Sequence, residues 1–273
     1  MAAQLFQPDP ATGRAGGNVD RLAGQSNLAV ASRQPCHPYC GWRDPPGGPH
    51  RQSRRQVFPG AAPMTLIKQS WSAFSHDIAK IYLDGFGHPS EHSKALSAAV
   101  LREIFGDAEF RLADFGCGNG HLFDYYKASG LSLQYGGYDF SSSLLVAGRE
   151  RFQGNQSVRF VEADIEDQNL SGEQYDVVLF SHVLEMLQSP QRGLLAARRL
   201  APMVMIRFFE PPTGDYDIAE IRQLDIGSTQ SVPYLRRTMS RGYYNLLLDA
   251  VGCRSVDVHQ AEGDKDQIHV LRF

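Results

Sequence analysis

Three glycines at alternate positions form the stretch of this sequence that is best suited to holding a ligand. Gly116, Gly118 and Gly120 directly follow a short apolar run, residues 112–115, that contains Asp114. Because glycine has no Cβ atom, the backbone of such a turn can approach a bound molecule closely. A helix that begins directly after the turn adds free N–H groups at its first turn. The pattern alone is compatible with a nucleotide-type site and equally with an ordinary strand-to-helix turn, and the residues that follow decide between them.

Carboxylates follow the next two apolar stretches of the chain. Asp139 ends the first of them and could accept hydrogen bonds from both hydroxyls of a ribose. Asp164 follows the second and could accept one from an adenine amino group, with Phe140 and Ile165 against the faces of the ring. The alternatives are a helix-terminal charge for Asp139 and a solvated loop acid for Asp164.

A further polar stretch, Ser181-His182-Val183-Leu184-Glu185, follows the fourth apolar run, where a reacting group would lie. If the substrate must lose a proton, His182 is the first candidate for the base, with His88 or His92 in its place. The alternatives are a structural histidine for His182 and an exposed helix acid for Glu185.

Four arginines are concentrated in the last third of the chain and could pair with a carboxylate of the substrate. They are Arg207, Arg236, Arg237 and Arg241. A solvated or salt-bridged surface is the alternative that their residue type favours.

The spacing of the glycines indicates which kind of nucleotide-type ligand would fit the turn. A dinucleotide fingerprint reads G-x-G-x-x-G, whereas this turn reads G-x-G-x-G and continues with His121. The sequence also contains no G-x-x-x-x-G-K-[ST] loop. A nucleoside joined to a small zwitterion therefore fits this turn better than a pyrophosphate.

Apolar runs of strand length alternate with helical patterns through the central part of the chain. Strands are predicted at 111–115, 133–139, 158–163, 175–181, 203–208, 255–259 and 267–273, and helices at 93–104, 119–129, 142–152, 189–200 and 242–251. This alternation predicts right-handed βαβ units around a mostly parallel sheet. The short polar link before the last strand predicts an antiparallel hairpin at the end of the chain.

Residues 1–63 differ from the rest in composition, with nine of the 15 prolines, seven arginines and no lysine or glutamate. They are predicted to be disordered, because they cannot bury enough apolar surface to offset the ordering entropy. An alternative is that the natural protein starts at Met64. Residues 64–273 carry 20 Lys and Arg against 27 Asp and Glu, which argues against a nucleic-acid partner.

The four cysteines are too few and too scattered for a disulfide framework, and no apolar run is long enough to span a membrane. The N-terminus also lacks the pattern of a secretory signal, so a cytoplasmic location is expected. Cys36 and Cys40 have no second pair at zinc-site spacing, so no metal site is predicted.

From about residue 70 to 273 the chain closely resembles the class I S-adenosylmethionine-dependent methyltransferases, in particular the small-molecule branch. The stretches that carry the resemblance are residues 76–82, the glycine motif at 114–120, Asp139, Asp164 and residues 181–185, followed by the terminal hairpin. The resemblance implies a Rossmann-like α/β fold with a seven-stranded, mostly parallel sheet in the order 3-2-1-4-5-7-6. Strand 7 would be antiparallel, with helices on both faces and a helical lid.

The resemblance also implies the cofactor, S-adenosylmethionine, and its contacts. The implied contact residues are Tyr82, Asp114, Gly116, Cys117, Gly118, Asp139, Phe140, Asp164, Ile165 and Ser181. A methyl group would pass to an O or N atom, less often a C atom, of a small-molecule acceptor under a lid formed by residues 64–95 and 210–245.

Two other classes of function remain open on the sequence alone. One is a non-catalytic, methyltransferase-like partner protein. The other is an NAD-dependent oxidoreductase, which the glycine spacing disfavours. A monomer or homodimer without a membrane partner is expected. The sequence does not identify the methyl acceptor.

Overall fold

The structure is a computed structural model that describes residues 31–35, 92–225, 231–261 and 266–273 of the 273-residue chain. Several sequence predictions fall outside these residues, so they stay predictions. They are Met64, Tyr82, His88, Cys36, Cys40, the lid segment up to residue 91, and disorder over most of residues 1–63.

The described residues form ten strands and five helices. The strands are β1 Ala31–Pro35, β2 Phe110–Phe115, β3 Leu133–Asp139, β4 Val158–Glu162, β5 Val177–Ser181, β6 Met203–Phe208, β7 Ile218–Asp225, β8 Ser231–Thr238, β9 Ser255–Gln260 and β10 Gln267–Arg272. The helices are α1 His92–Phe105, α2 His121–Ala128, α3 Ser142–Arg151, α4 Pro190–Leu200 and α5 Arg241–Ala250, and a short 3₁₀ turn spans Leu184–Met186. The predicted helices and the strands of the main sheet agree with these bounds to within about two residues.

Eight of these strands form one mixed sheet in the order β4-β3-β2-β5-β6-β10-β9-β1. The strands from β4 to β6 are parallel, and β10 runs antiparallel to both β6 and β9. Apart from β1, this is the predicted order 3-2-1-4-5-7-6 with an antiparallel last strand, so the predicted fold is confirmed. The strand β1, within the segment predicted to be disordered, adds to the outer edge of β9.

Helices cover both faces of the sheet, as predicted, and make a separate apolar core on each. Successive residues of β5 alternate between the two cores: Val178 and Phe180 point to the face covered by α4 and α5, and Val177 and Leu179 to the other. Since both faces are covered, β5 is apolar from Val177 to Phe180 rather than alternating. Within the described residues no helix is both long and apolar enough to cross a bilayer.

A second, two-stranded antiparallel sheet pairs β7 with β8, and this hairpin was not predicted from the sequence. Residues 216–223 are exposed on both sides of β7, so the strand lacks the apolar alternation on which the prediction depends. The β8 strand lies against the 3₁₀ turn Leu184–Met186. The hairpin therefore covers the polar stretch that follows β5. The hairpin itself lies within the predicted lid segment at residues 210–245.

Candidate functional site

The glycine turn joins the carboxyl end of β2 to the start of α2. Gly116, Gly118 and Gly120 all have positive φ angles, of 75°, 56° and 77°. A Cβ atom at Gly116 would lie 2.6 Å from Cγ2 of Val183, and one at Gly120 would lie 2.8 Å from Cζ of Phe160. Left-handed backbone and close neighbours therefore both require glycine at these positions.

Asp139, at the end of β3, holds the turn in place. Its Oδ2 accepts a hydrogen bond from the Gly118 N–H (3.0 Å), and its Oδ1 accepts one from the Ser141 N–H (2.9 Å). Burial raises the pKa of this carboxyl, and the backbone hydrogen bonds oppose that shift. Because a carboxylate has about four lone-pair positions, Asp139 retains capacity to accept further hydrogen bonds.

Two buried polar atoms without a hydrogen-bond partner among the described residues lie at the two ends of the turn. Oδ2 of Asp114 accepts from the Tyr135 hydroxyl at 2.6 Å, whereas its Oδ1 has no partner. Nδ1 of His121, the first residue of α2, also has none. Since buried polar groups are nearly always paired, the two ends of the turn fit a ligand that carries a cation and a hydrogen-bonding group.

Burial favours the uncharged form of both groups. It raises the pKa of Asp114 to about 7, and it lowers the pKa of His121 to about 3. Hence His121 is neutral in the folded protein, and Asp114 changes its charge near neutral pH.

This shift makes the stability of the protein depend on Asp114 between pH 6 and 8. Folded Asp114 binds more protons than unfolded Asp114 in this range, so the free energy of unfolding should fall as the pH rises. Relative to the Asp114→Asn variant, the wild type should lose about 1–2 kcal/mol from pH 6 to pH 8. Urea unfolding of both proteins at the two pH values measures this.

The matched control for Asp114 is Asp124→Asn, which removes a carboxylate that is 45% exposed and paired with Arg151. Its unfolding free energy should follow the wild type with pH. If Asp114→Asn does so as well, Asp114 does not titrate in this range.

The loop after β4 is joined to the end of β3. The N–H of Ala163 donates to the carbonyl oxygen of Asp139 (2.9 Å), so the two predicted adenosine-binding loops do lie together. The Asp164 side chain is exposed, and its Oδ1 accepts from the Glu166 N–H (2.9 Å). Phe140 is half-buried beside Asp139, whereas Ile165 packs into one of the apolar cores.

Cys117 shapes the turn through its backbone. Its N–H donates to the Tyr138 carbonyl (3.1 Å), and its carbonyl accepts from the Gly120 N–H (3.0 Å). The thiol is buried, and burial raises its pKa well above the ordinary value. A backbone contact is therefore the role that this geometry favours for Cys117.

His182 follows Ser181, the last residue of β5, and has a positive φ angle of 58°, which is unusual for a residue with a side chain. Its N–H donates to the Arg207 carbonyl (3.0 Å), and its Nε2 accepts from Nε of Arg207 (2.7 Å). The lone pair of Nε2 is thus directed at a guanidinium. The next residue, Val183, packs against Gly116, so this loop contacts the glycine turn.

The alternative of a surface acid is wrong for Glu185, which is 1% exposed. Its carboxylate accepts from the Glu210 N–H (2.9 Å) and from Nη1 of Arg236 (3.4 Å). Burial raises the pKa of Glu185, and Arg236 opposes that shift. The burial arises because the β7–β8 hairpin brings Arg236 down onto the turn.

The surface alternative is likewise wrong for Arg207 and Arg236, each 5% exposed. It holds for the exposed Arg241, whereas Arg237 is salt-bridged to Asp217 at 2.8 Å and its side chain is only 15% exposed. Sequence reasoning did not assign a role to His121, although its position directly after the third glycine was a signal.

Comparison with known proteins finds similarity to methyltransferases. Residues 113–202 match the family model described as a methyltransferase domain. A demethylmenaquinone methyltransferase of Clavibacter sepedonicus is 32% identical over 118 residues, which cover 42% of this chain and 47% of that protein. The chain spans less than half the length of the curated relatives it matches.

Solved structures share the fold. The complex of DhpI with S-adenosylhomocysteine (SAH) has a TM-score of 0.57 at 20% identity, covering 76% of this chain and 97% of that one. The 1,6-didemethyltoxoflavin-N1-methyltransferase of Burkholderia thailandensis, with 1,6-didemethyltoxoflavin and SAH bound, has a TM-score of 0.54 at 18% identity, covering 79% of this chain and 92% of that one.

The sheet order and the glycine turn after its central strand define the class I methyltransferase fold, which confirms the resemblance drawn from the sequence. Within that fold, residues 113–202 are the part that matches the methyltransferase-domain model.

Proposed function

We propose that this protein transfers the methyl group of S-adenosylmethionine to an oxygen or nitrogen atom of a small-molecule acceptor. The observation that carries the proposal is the turn of three left-handed glycines at the end of the central strand, tied down by Asp139. A Cβ atom at Gly116 would clash with Val183, and one at Gly120 with Phe160, so a closely packed turn of bare backbone lies where the resemblance implies the cofactor.

The residues present fit that cofactor. Asp114 and His121 provide the unpaired buried atoms for the charged methionine part, and Asp139 has spare acceptor capacity for the ribose. The exposed Asp164 and half-buried Phe140 are proposed to hold the adenine, with Ile165 packed behind them. Ser181, Cys117 and Tyr82 complete the proposed contacts.

When bound, S-adenosylmethionine supplies an activated methyl group on a sulfonium sulfur. The protein therefore has to orient the acceptor and exclude water, and orientation of well-aligned partners contributes about 7–11 kcal/mol. In this proposal the acceptor side of the site is lined by the loop at residues 182–185 and by Phe209, beneath the β7–β8 hairpin.

For His182 we propose a positioning role rather than proton removal, because its Nε2 already accepts a hydrogen bond from Arg207. The His182→Ala variant should lower turnover by about tenfold through loss of Arg207 orientation. It should leave the affinity for SAH and the shape of the pH–rate profile unchanged. His182→Gln, which retains an acceptor for Arg207, should recover part of the turnover. Loss of an ionisation from the profile would instead make His182 the base.

The test of the proposed function is transfer of labelled methyl from S-adenosylmethionine to a panel of small hydroxyl- and amine-containing molecules. The full chain should form methylated product and SAH in equal amounts with at least one of them. Binding of SAH without transfer to any acceptor would favour the non-catalytic alternative.

We also propose a cytoplasmic location and a small-molecule acceptor as the sole class of partner, with the chain acting as a monomer or homodimer. The observation that supports the location is that Cys117 and Cys253, the two cysteines among the described residues, are buried and are not joined in a disulfide.

A further inference from the structure

Arg236, on β8, has a buried guanidinium in which Nη1 is hydrogen-bonded and the edge formed by Nε and Nη2 is not. Its Nη1 donates to Glu185 at 3.4 Å, and its Cζ lies over the Phe209 ring, 4.7 Å from the ring centre. Its Nε and Nη2 are buried and have no hydrogen-bond partner among the described residues. The Glu210 carboxylate lies 3.9 Å from Nη2, within ion-pair distance but beyond hydrogen-bond range, and it accepts a hydrogen bond from Thr238.

Such an arrangement costs stability unless something pairs with it. A buried donor that has lost its water and gained no acceptor is destabilising, more so when it is charged. Nε and the Nη atom beside it form the edge of a guanidinium that makes two parallel hydrogen bonds to a planar pair of oxygens. The unoccupied edge of Arg236 therefore has the donor geometry that a carboxylate matches.

The position of Arg236 places this edge on the acceptor side of the site. A single loop links it to the glycine turn: Val183 packs on Gly116, and Glu185, two residues later, binds Arg236. Phe209, which is 39% exposed, contacts Arg236 with its ring face and lies 5.6 Å from the His182 ring. The proposed adenosine contacts are on different strands, at the ends of β3 and β4.

We propose that the Nε–Nη2 edge of Arg236 binds a carboxylate of the methyl acceptor, with the exposed part of the Phe209 side chain packing against the adjoining part of that molecule. The acceptor is accordingly a small organic acid, preferably one with an aromatic or other flat group next to the carboxylate. The role of this ligand as methyl acceptor rests on the proposed function, whereas the carboxylate site itself does not.

The probe for this site is benzoate, with benzamide as its neutral counterpart, titrated by calorimetry into the full chain saturated with SAH. Benzoate should bind about tenfold more tightly than benzamide, because a charged bidentate pair is stronger than a neutral one. The Arg236→Lys variant keeps the charge but not the paired donors, and it should lose about tenfold in benzoate affinity. The matched control is Arg222→Lys, an exposed arginine of the same hairpin that pairs with Glu220.

The outcomes separate this proposal from the proposed function. Equal binding of benzoate and benzamide, or unchanged benzoate affinity in Arg236→Lys, would overturn the carboxylate site. Loss of SAH affinity in Arg236→Lys would assign the edge to the carboxylate of the cofactor and would also overturn the proposal. If the wild type binds benzoate through Arg236 but does not bind SAH, the carboxylate site stands and the methyltransferase function falls. Retained SAH affinity in Arg236→Lys shows that the variant is folded.

Discussion

The Glu185→Ala variant is expected to lose about 3–5 kcal/mol of unfolding free energy, the largest single effect that the structure predicts. The variant leaves the Arg236 guanidinium 5% exposed and without its carboxylate. It also removes the acceptor for the Glu210 N–H, which joins the end of β6 to the turn after β5. Urea unfolding of the two proteins at neutral pH measures the difference.

The chain offers a matched control in the exposed pair of Glu220 and Arg222, which are 47% and 42% exposed. Because water screens that pair, Glu220→Ala should cost less than about 1 kcal/mol. Replacing both buried partners, in Glu185→Leu with Arg236→Met, should recover much of the lost stability, since no lone charge remains buried. A cost for Glu185→Ala as small as that for Glu220→Ala would contradict the buried pair.

The Asp139→Ala variant is expected to weaken the binding of SAH by about 1–3 kcal/mol, which corresponds to roughly 5- to 150-fold in affinity. Two effects add: the proposed ribose acceptor disappears, and the Gly118 N–H loses the carboxylate that fixes the glycine turn. Isothermal calorimetry on the full chain gives the two dissociation constants.

Two further variants separate these effects. Asp139→Asn keeps one acceptor oxygen and should be intermediate. Asp124→Ala removes an exposed carboxylate on α2 and should bind as the wild type does. Unchanged affinity in Asp139→Ala would remove Asp139 from the cofactor site.

The sequence predicted the sheet and the glycine turn because short-range physics determines both. Positive φ angles at Gly116, Gly118 and Gly120 are available at low cost only to glycine, so the residue type itself reports the turn. Parallel strands that are buried on both faces favour continuous apolar runs; β5 has one, and β2 departs from one only at Arg111 and Asp114. Asp139 lies at the carboxyl end of its strand, where ligands of such sheets bind.

The acceptor half depends on contacts between residues far apart in the sequence, and these left no local pattern. Arg236 and Glu185 are 51 positions apart, and each alone looks like a surface charge. The β7–β8 hairpin that joins them has an exposed β7 strand, so it shows no apolar alternation. Similarly, the contact between Arg207 and Nε2 of His182 exists only because β5 and β6 are neighbours in the sheet, and it changes the role proposed for His182 from base to positioning residue.

The central claim is that the glycine turn binds S-adenosylmethionine rather than a dinucleotide, and calorimetric titration of the full chain with SAH and with NAD tests it most directly. The account predicts that SAH binds at a single site and that Asp139→Ala weakens this binding, while NAD produces no binding heat. Binding of NAD that depends on Asp139, with none for SAH, would contradict it.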